Sequence, residues 1–218
     1  MMRVLQISTV CLLAWPVSAC ETALLLAIDI SGSIDAGEYA LQQQGLADAL
    51  ADPEVTDLLV RDQVALAVVH WSGVGAQALV MPWRRMLSAA DVAGFATRAR
   101  SIPRAFQASD TAVGQAISFS AAQFAKVSDC RRHVIDLSGD GPENAGFTVA
   151  RARTEAQAAG ITINAIAIED MGQTTPIAAF YRKWVLTRGG FVMVVHGLQE
   201  YPATLRAKLL RELARVTG

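Results

Sequence analysis

The stretch that decides the reading of this chain is Leu24–Tyr39, LLLAIDISGSIDAGEY. An apolar run of strand length stops at Asp29, and Ser31, Gly32 and Ser33 follow within four positions. Beyond them Tyr39, Leu41, Leu46, Ala49 and Leu50 recur at roughly helical spacing, which predicts a helix over Gly37–Leu50. A strand that reads as buried on both faces therefore delivers one carboxylate and two hydroxyls to the turn at its carboxyl end.

The same alternation continues outward. DQVALAVVHWS (62–72) reads as a second strand, and AQALVMPW (76–83) as an edge strand, because Pro82 cannot donate to a central ladder. Ser88–Arg100 opens with a serine N-cap and Asp91 in its first turn, as a helix does. Asp110–Lys126 is apolar on one face and reads as another helix. Then come a strand at HVIDLSG (133–139), a helix over 147–159 closed by Gly160, a strand at ITINAIAI (161–168), a helix over Pro176–Val185, a strand at FVMVV (191–195) and a closing helix over Tyr201–Thr217. The expected fold is α/β: a doubly wound, mostly parallel six-stranded sheet with helices on both faces and one antiparallel edge strand.

Ligands of such sheets sit outside the carboxyl ends of the strands, where the strand order reverses. Asp29 and Asp140 end the first and fourth strands, which should be neighbours at that point, and Thr111 stands at the start of a helix. Three loops thus offer Asp29, Ser31, Ser33, Thr111 and Asp140 to one edge. With these elements the chain resembles the von Willebrand factor A superfamily, whose metal-ion-dependent adhesion site has the pattern Asp-x-Ser-x-Ser, then Thr, then Asp. Asp29-Ile30-Ser31-Gly32-Ser33 matches the first element, Thr111–Ala116 the second and Asp140-Gly141 the third. The segments DLSGDG and ITINAIAI also resemble a bacterial secreted branch of that superfamily of unknown function.

The resemblance implies Mg2+ (or Mn2+) held directly by the hydroxyls of Ser31, Ser33 and Thr111, with Asp29 and Asp140 reaching it through water or a hydrogen bond. Magnesium is hard, takes oxygen ligands and retains waters. Neutral direct ligands leave the ion electrophilic, so it would accept an Asp or Glu carboxylate from a protein or peptide partner. Gly114 would let the helix carrying Thr111 approach its neighbours. A metal-assisted hydrolase using the same cluster is the alternative. Against catalysis stand the absence of a GxSxG elbow, a Walker loop and an Asp-x-Asp pair, and of a histidine placed as a general base near Ser31.

The remaining features bound the setting. With 218 residues, a net charge of -1 and 18% charged residues, the chain suits one globular domain and lacks the basic excess of a nucleic-acid binder. MMRVLQISTVCLLAWPVSAC (1–20) has Arg3, an apolar core and the small-residue ending Val17-Ser18-Ala19, so residues 1–19 read as a signal peptide, with a VWA-like domain over 20–218. No other apolar run suffices for a transmembrane segment. The expected localisation is exported, periplasmic or secreted.

Of three cysteines, Cys11 leaves with the signal. Cys20 and Cys130 precede Asp29 and Asp140 by nearly equal stretches, so a bridge between them across the amino-terminal edge of two adjacent parallel strands is geometrically easy. VSAC also resembles a lipobox, and a lipid anchor at Cys20 is the rival reading, which leaves Cys130 unpaired. An unpaired thiol is awkward in an oxidising compartment, which favours the disulfide.

Asp136, inside a strand, reads as a buried and paired carboxylate. His70, His133 and His196 lack ligand spacing and read as core or rim. Glu169 and Asp170 should line a loop near the site, and Arg98, Arg100 and Arg104 a solvated face.

Overall fold

The computed structural model describes residues 20–107, 110–169 and 176–214. The expected signal peptide, Asp170 and the end of the last helix at Thr217 lie outside them. The elements run β1 (Thr22–Asp29), α1 (Ala36–Ala51), α2 (Pro53–Arg61), β2 (Ala65–Trp71), β3 (Gln77–Arg85), α3 (Ala89–Ala99), α4 (Val113–Gln123), β4 (Arg132–Gly139), α5 (Val149–Ala158), β5 (Ile161–Glu169), α6 (Ile177–Phe180), β6 (Val192–His196) and α7 (Tyr201–Leu213). One six-stranded sheet has the order β3-β2-β1-β4-β5-β6. Only the β2–β3 edge pair is antiparallel; the other four pairings are parallel. The ladder between β2 and β3 is irregular between Leu66 and Val69, opposite Pro82, where the missing N–H breaks the pairing.

Strand β1 is buried along its whole length, and its side chains divide by alternation. Leu24, Leu26 and Ile28 enter a core shared with α1, α2, α3 and α7. Ala23, Leu25 and Ala27 enter a second core with α4, α5 and the turn after α6. The carboxyl ends of β1 and β4, which pair from Thr22↔Arg132 to Ile28↔Ser138, therefore end side by side between two helical layers.

Two elements differ from the sequence expectation. Helix α2 falls in a span, 51–61, to which the sequence reading gave no element: Asp52 caps it by accepting from the Glu54 and Val55 amides, Pro53 occupies its first turn, and Val55 and Leu59 are buried. Val55, Leu58 and Leu59 stand at i, i+3 and i+4 after the Asp52-Pro53 start, so the signal for this short helix is present in the sequence. Helix α4 begins at Val113, so Asp110–Ala112 form its approach, and a 3-10 turn over Phe124–Val127 completes the expected span.

Asp136 is buried and paired. Its Oδ1 lies 2.5 Å from Nζ of Lys208 on α7, which is fully buried and also pairs with Glu212. Asn164 of β5 donates to Glu212 Oε1 at 2.7 Å. Burial and the nearby Asp136 charge push the Glu212 carboxyl up. This cluster pins the last helix to the sheet through charge, where any unpaired member would be costly.

Cys20 and Cys130 form a disulfide with Cα atoms 4.5 Å apart. It closes the amino-terminal edge of the β1–β4 pair, opposite the edge that carries Asp29 and Asp140.

Candidate metal site

The first loop leaves β1 with Ile30 N donating to Trp71 O at 2.9 Å. Ser31 N donates to Asp29 Oδ1 at 2.8 Å, which folds the turn back on its own carboxylate. Asp35 and Glu38 then form a capping box: Glu38 N donates to Asp35 Oδ1 at 2.8 Å, and Asp35 N to Glu38 Oε2 at 2.7 Å. That box starts α1 and fixes where the loop ends. The spacing Asp35-x-x-Glu38 is the signal in the sequence that marks this start, one residue before Gly37.

Side chains of two loops meet here. Ser31 Oγ lies 3.2 Å from Ser33 Oγ, and Ser33 Oγ donates to Asp140 Oδ1 at 2.8 Å. The chain Asp29–Ser31–Ser33–Asp140 is thus continuous across the β1–β4 gap. Thr111 joins from a third segment; a Cβ placed on Gly141 would lie 3.9 Å from its Oγ1. Asp29, Ser31, Thr111 and Asp140 are buried and Ser33 is exposed, so the cluster opens to solvent on the Ser33 side.

The loop after β4 builds the Thr111 position. Thr111 N donates to Asn144 Oδ1 at 2.8 Å, and the Asn144 amide returns a bond to Thr111 O at 3.0 Å. Glu143 bridges two helix starts, accepting from Gly114 N at 2.8 Å and from Val149 N at 3.1 Å, where unpaired amides favour a carboxylate. Gly114 is required by contact: an added Cβ would lie 2.4 Å from both Thr148 Oγ1 and Val149 N.

Arg104 departs from the sequence expectation of a solvated face. Its Nη2 donates to Ile30 O at 2.7 Å and Ser31 O at 2.8 Å, and its guanidinium lies over the Tyr39 ring at 5.9 Å. It ties the first loop to the segment leading to Thr111. A lone arginine in a loop carries no periodic signal, so only the tertiary contact reveals it. Arg100 instead pairs with exposed Asp48. Glu169 accepts from Ala178 N at 2.9 Å, a structural contact at the end of β5. His70 stacks edge-on against Tyr39, His133 packs on Phe124, and His196 is exposed at the end of β6.

Burial and the Asp140 charge push the Asp29 carboxyl up to about 8. Two carboxylates held this close, one of them fully buried, favour a compensating cation. Among the described residues no group of three or more His, Cys, Asp and Glu side chains is placed to hold a metal. An ion here would rest on hydroxyl oxygens, a donor set that suits a hard cation. The residues present fit such an ion.

The strand order and this edge define the molecule as a von Willebrand factor A-type domain. The chain belongs to the family described as "Protein of unknown function (DUF1194)", whose model matches residues 19–217. No curated protein matches the sequence.

Solved structures share the fold. The chain is similar to a von Willebrand factor type A protein from Catenulispora acidiphila, at 19% identity and a TM-score of 0.64, over 89% of this chain and 43% of that one. It is also similar to proximal thread matrix protein 1 of the mussel byssus with a zinc-occupied MIDAS motif, at 18% identity and a TM-score of 0.65, over 89% of this chain and 48% of that one. The vWF domain of the type V pili tip protein Mfa5 from Porphyromonas gingivalis gives 9% identity and a TM-score of 0.60, over 92% of this chain and 98% of that one. The chain spans less than half the length of the first two, and likeness at these identities shows the fold alone.

Proposed function

We propose that the protein is an exported binding module that holds one divalent ion, Mg2+ or Mn2+, and grips the carboxylate of a protein or peptide partner through it. The carrying observation is the continuous chain Asp29–Ser31–Ser33–Asp140, with Thr111 beside it and an Asp29 carboxyl that burial and the Asp140 charge push up, so that its ionised form calls for a cation. Ser31, Ser33 and Thr111 would hold the ion directly, and Asp29 and Asp140 would orient its waters and balance its charge. When bound, the ion supplies an electrophilic position for an acidic side chain.

The protein's own residues do the rest. Arg104 and the Ser31 amide set the first loop, and Asn144 and Glu143 set the approach to α4. Val74 and Phe147, 60% and 79% exposed, stand on loops beside this approach and offer apolar contact to a partner. Ser31 Oγ meets another hydroxyl rather than an imidazole, which supports binding over catalysis. The disulfide suits an oxidising compartment and occupies Cys20, which supports export without a lipid on that thiol. Among the described residues no helix is long and apolar enough to cross a membrane.

Calorimetry of Mg2+ and Mn2+ against wild type and the Asp29→Ala/Asp140→Ala double variant tests the ion site; equal binding by the two proteins removes it. Capture of periplasmic proteins with and without chelator then tests the partner reading. Metal-dependent turnover of ester, phosphate or peptide substrates, abolished by Ser31→Ala, would establish the hydrolase instead.

A further inference from the structure

Two adjoining loops turn large apolar side chains to solvent beside the Thr111 segment. Val74 lies between β2 and β3, and Phe147 between β4 and α5. Both loops are bonded to the residues around Thr111. On one side, Ser72 Oγ donates to Asp110 O at 3.0 Å, Ala112 N donates to Ser72 O at 2.9 Å, and Gly75 N donates to Gln115 Oε1 at 2.9 Å. On the other, the amides of Asn144 and Ala145 donate to Thr111 O at 3.0 and 3.3 Å. The loops also meet each other: a Cβ placed on Gly146 would lie 3.5 Å from Val74 Cγ2 and 3.9 Å from Ala112 Cβ. Phe147 is the next residue, and with consecutive Cα atoms about 3.8 Å apart it stands within about 8 Å of Ala145.

The backbone holds Phe147 outward against local strain. Its φ is 50°, directly after Gly146 at 83°. Glycine takes this left-handed conformation readily, whereas for a bulky side chain it is an outlier. Gln63 is the other non-glycine residue at positive φ among the described residues, but it follows the last turn of α2, where helices commonly end in this conformation. Phe147 has no such role, and its ring is 79% exposed, so the strain is not offset by burial in the core. Strained backbone of this kind clusters at ligand clamps, where its use lies in binding.

We propose that Val74 and Phe147 form an apolar seat beside the candidate ion, and that this seat selects partners whose acidic anchor, an Asp or Glu, has a large apolar side chain within three positions of it in an extended segment. The inference rests on the ion-site reading and deepens it by naming the partner's sequence class. An extended chain advances at most about 3.3–3.6 Å per residue, so a side chain two or three positions from the gripped carboxylate starts about 7–11 Å away. That is the scale of the step from Ala145, bonded to Thr111, to Phe147. The carboxylate would supply the metal contact common to all acidic partners, and the apolar neighbour would supply the burial that discriminates among them.

Phage-displayed seven-residue peptides with a central Asp or Glu and random flanks test this, selected on immobilised protein in Mn2+ and eluted with chelator. Wild type, Phe147→Gly and Val74→Ser are each selected against, and each is titrated with Mn2+ by calorimetry. Wild type should enrich Phe, Leu, Ile, Met or Trp near the acid by about tenfold or more over Ser and Gly. Both variants should lose that enrichment while keeping the wild-type Mn2+ affinity, because neither side chain holds the ion. Phe147→Gly should melt at the wild-type temperature or about 2–4 °C above it, since glycine relieves the strain, so lost selection would not reflect lost folding. Peptides without apolar preference, the same preference in both variants, or no retained peptide on a wild type that binds Mn2+ overturn the seat alone. A wild type that binds no Mn2+ overturns the ion reading and the seat with it.

Discussion

Arg104 sets the first loop by bonding two consecutive carbonyls, Ile30 O and Ser31 O. Arg104→Met keeps much of the packing on Tyr39 and removes both bonds. It should lower stability by about 1–3 kcal/mol and Mn2+ affinity by about tenfold, read by denaturant melts and calorimetry. Arg104→Lys should recover only part of the affinity, because an ammonium does not reproduce the planar guanidinium.

Titration is also decided residue by residue. Asp29 is raised from 3.8 to about 8, so the metal-free fold binds this proton more tightly than the unfolded chain and loses stability as pH rises between those values. Glu212, also raised, acts in the same direction. His70 is lowered from 6.5 to about 4 by burial and by Arg104, so its contribution is lost as pH falls through that window. The terms oppose below about pH 6.5, and above it the carboxyls act alone. Thermal melts of metal-free protein should therefore show a fall that steepens above about pH 6.5 and continues to about 8. Saturating Mn2+ should remove most of it; a melt that rises over that range would contradict the Asp29 assignment.

Among the elements, the α4–α5 contact sets where Thr111 stands. Gly114→Ala would drive a methyl group into the backbone at Thr148–Val149, and α4 must then move. A cost of about 1–3 kcal/mol is expected, a loss of roughly 2–12 °C in melting temperature for a chain of this size. Metal affinity should fall with it, since Thr111 hangs from the same start. Gly94, which meets nothing within 4 Å, supplies the control: Gly94→Ala lies inside α3 and should be neutral or slightly stabilising.

Across the whole molecule, two devices hold the layers together. The disulfide closes a separation of 110 residues at the edge of the sheet opposite the site. Its removal by a Cys20→Ser/Cys130→Ser variant should cost about 2–5 kcal/mol in denaturant unfolding, with Mn2+ affinity unchanged. Lys208 holds α7 to β4 through Asp136 and Glu212. Lys208→Met would leave two carboxyl groups buried without their cation and should cost about 3–5 kcal/mol at neutral pH, less at pH 5 where they protonate. Equal losses at both pH values would show that the charge plays no part.

What the sequence by itself determined is what depends on local order: the strand–helix alternation, the edge position of the proline strand, and the placement of Asp29, Ser31, Ser33, Thr111 and Asp140 at element ends. In a doubly wound sheet such ends share one edge, so five distant residues were brought to one place by topology alone. The Cys20–Cys130 pairing was legible for the same reason, because equal offsets along adjacent parallel strands meet. Tertiary structure alone decided Arg104 and the Lys208 cluster. Those side chains act across space on groups from other elements, and neither spacing nor periodicity encodes which carbonyl, carboxylate or ring a side chain will meet once two helical layers close on a sheet.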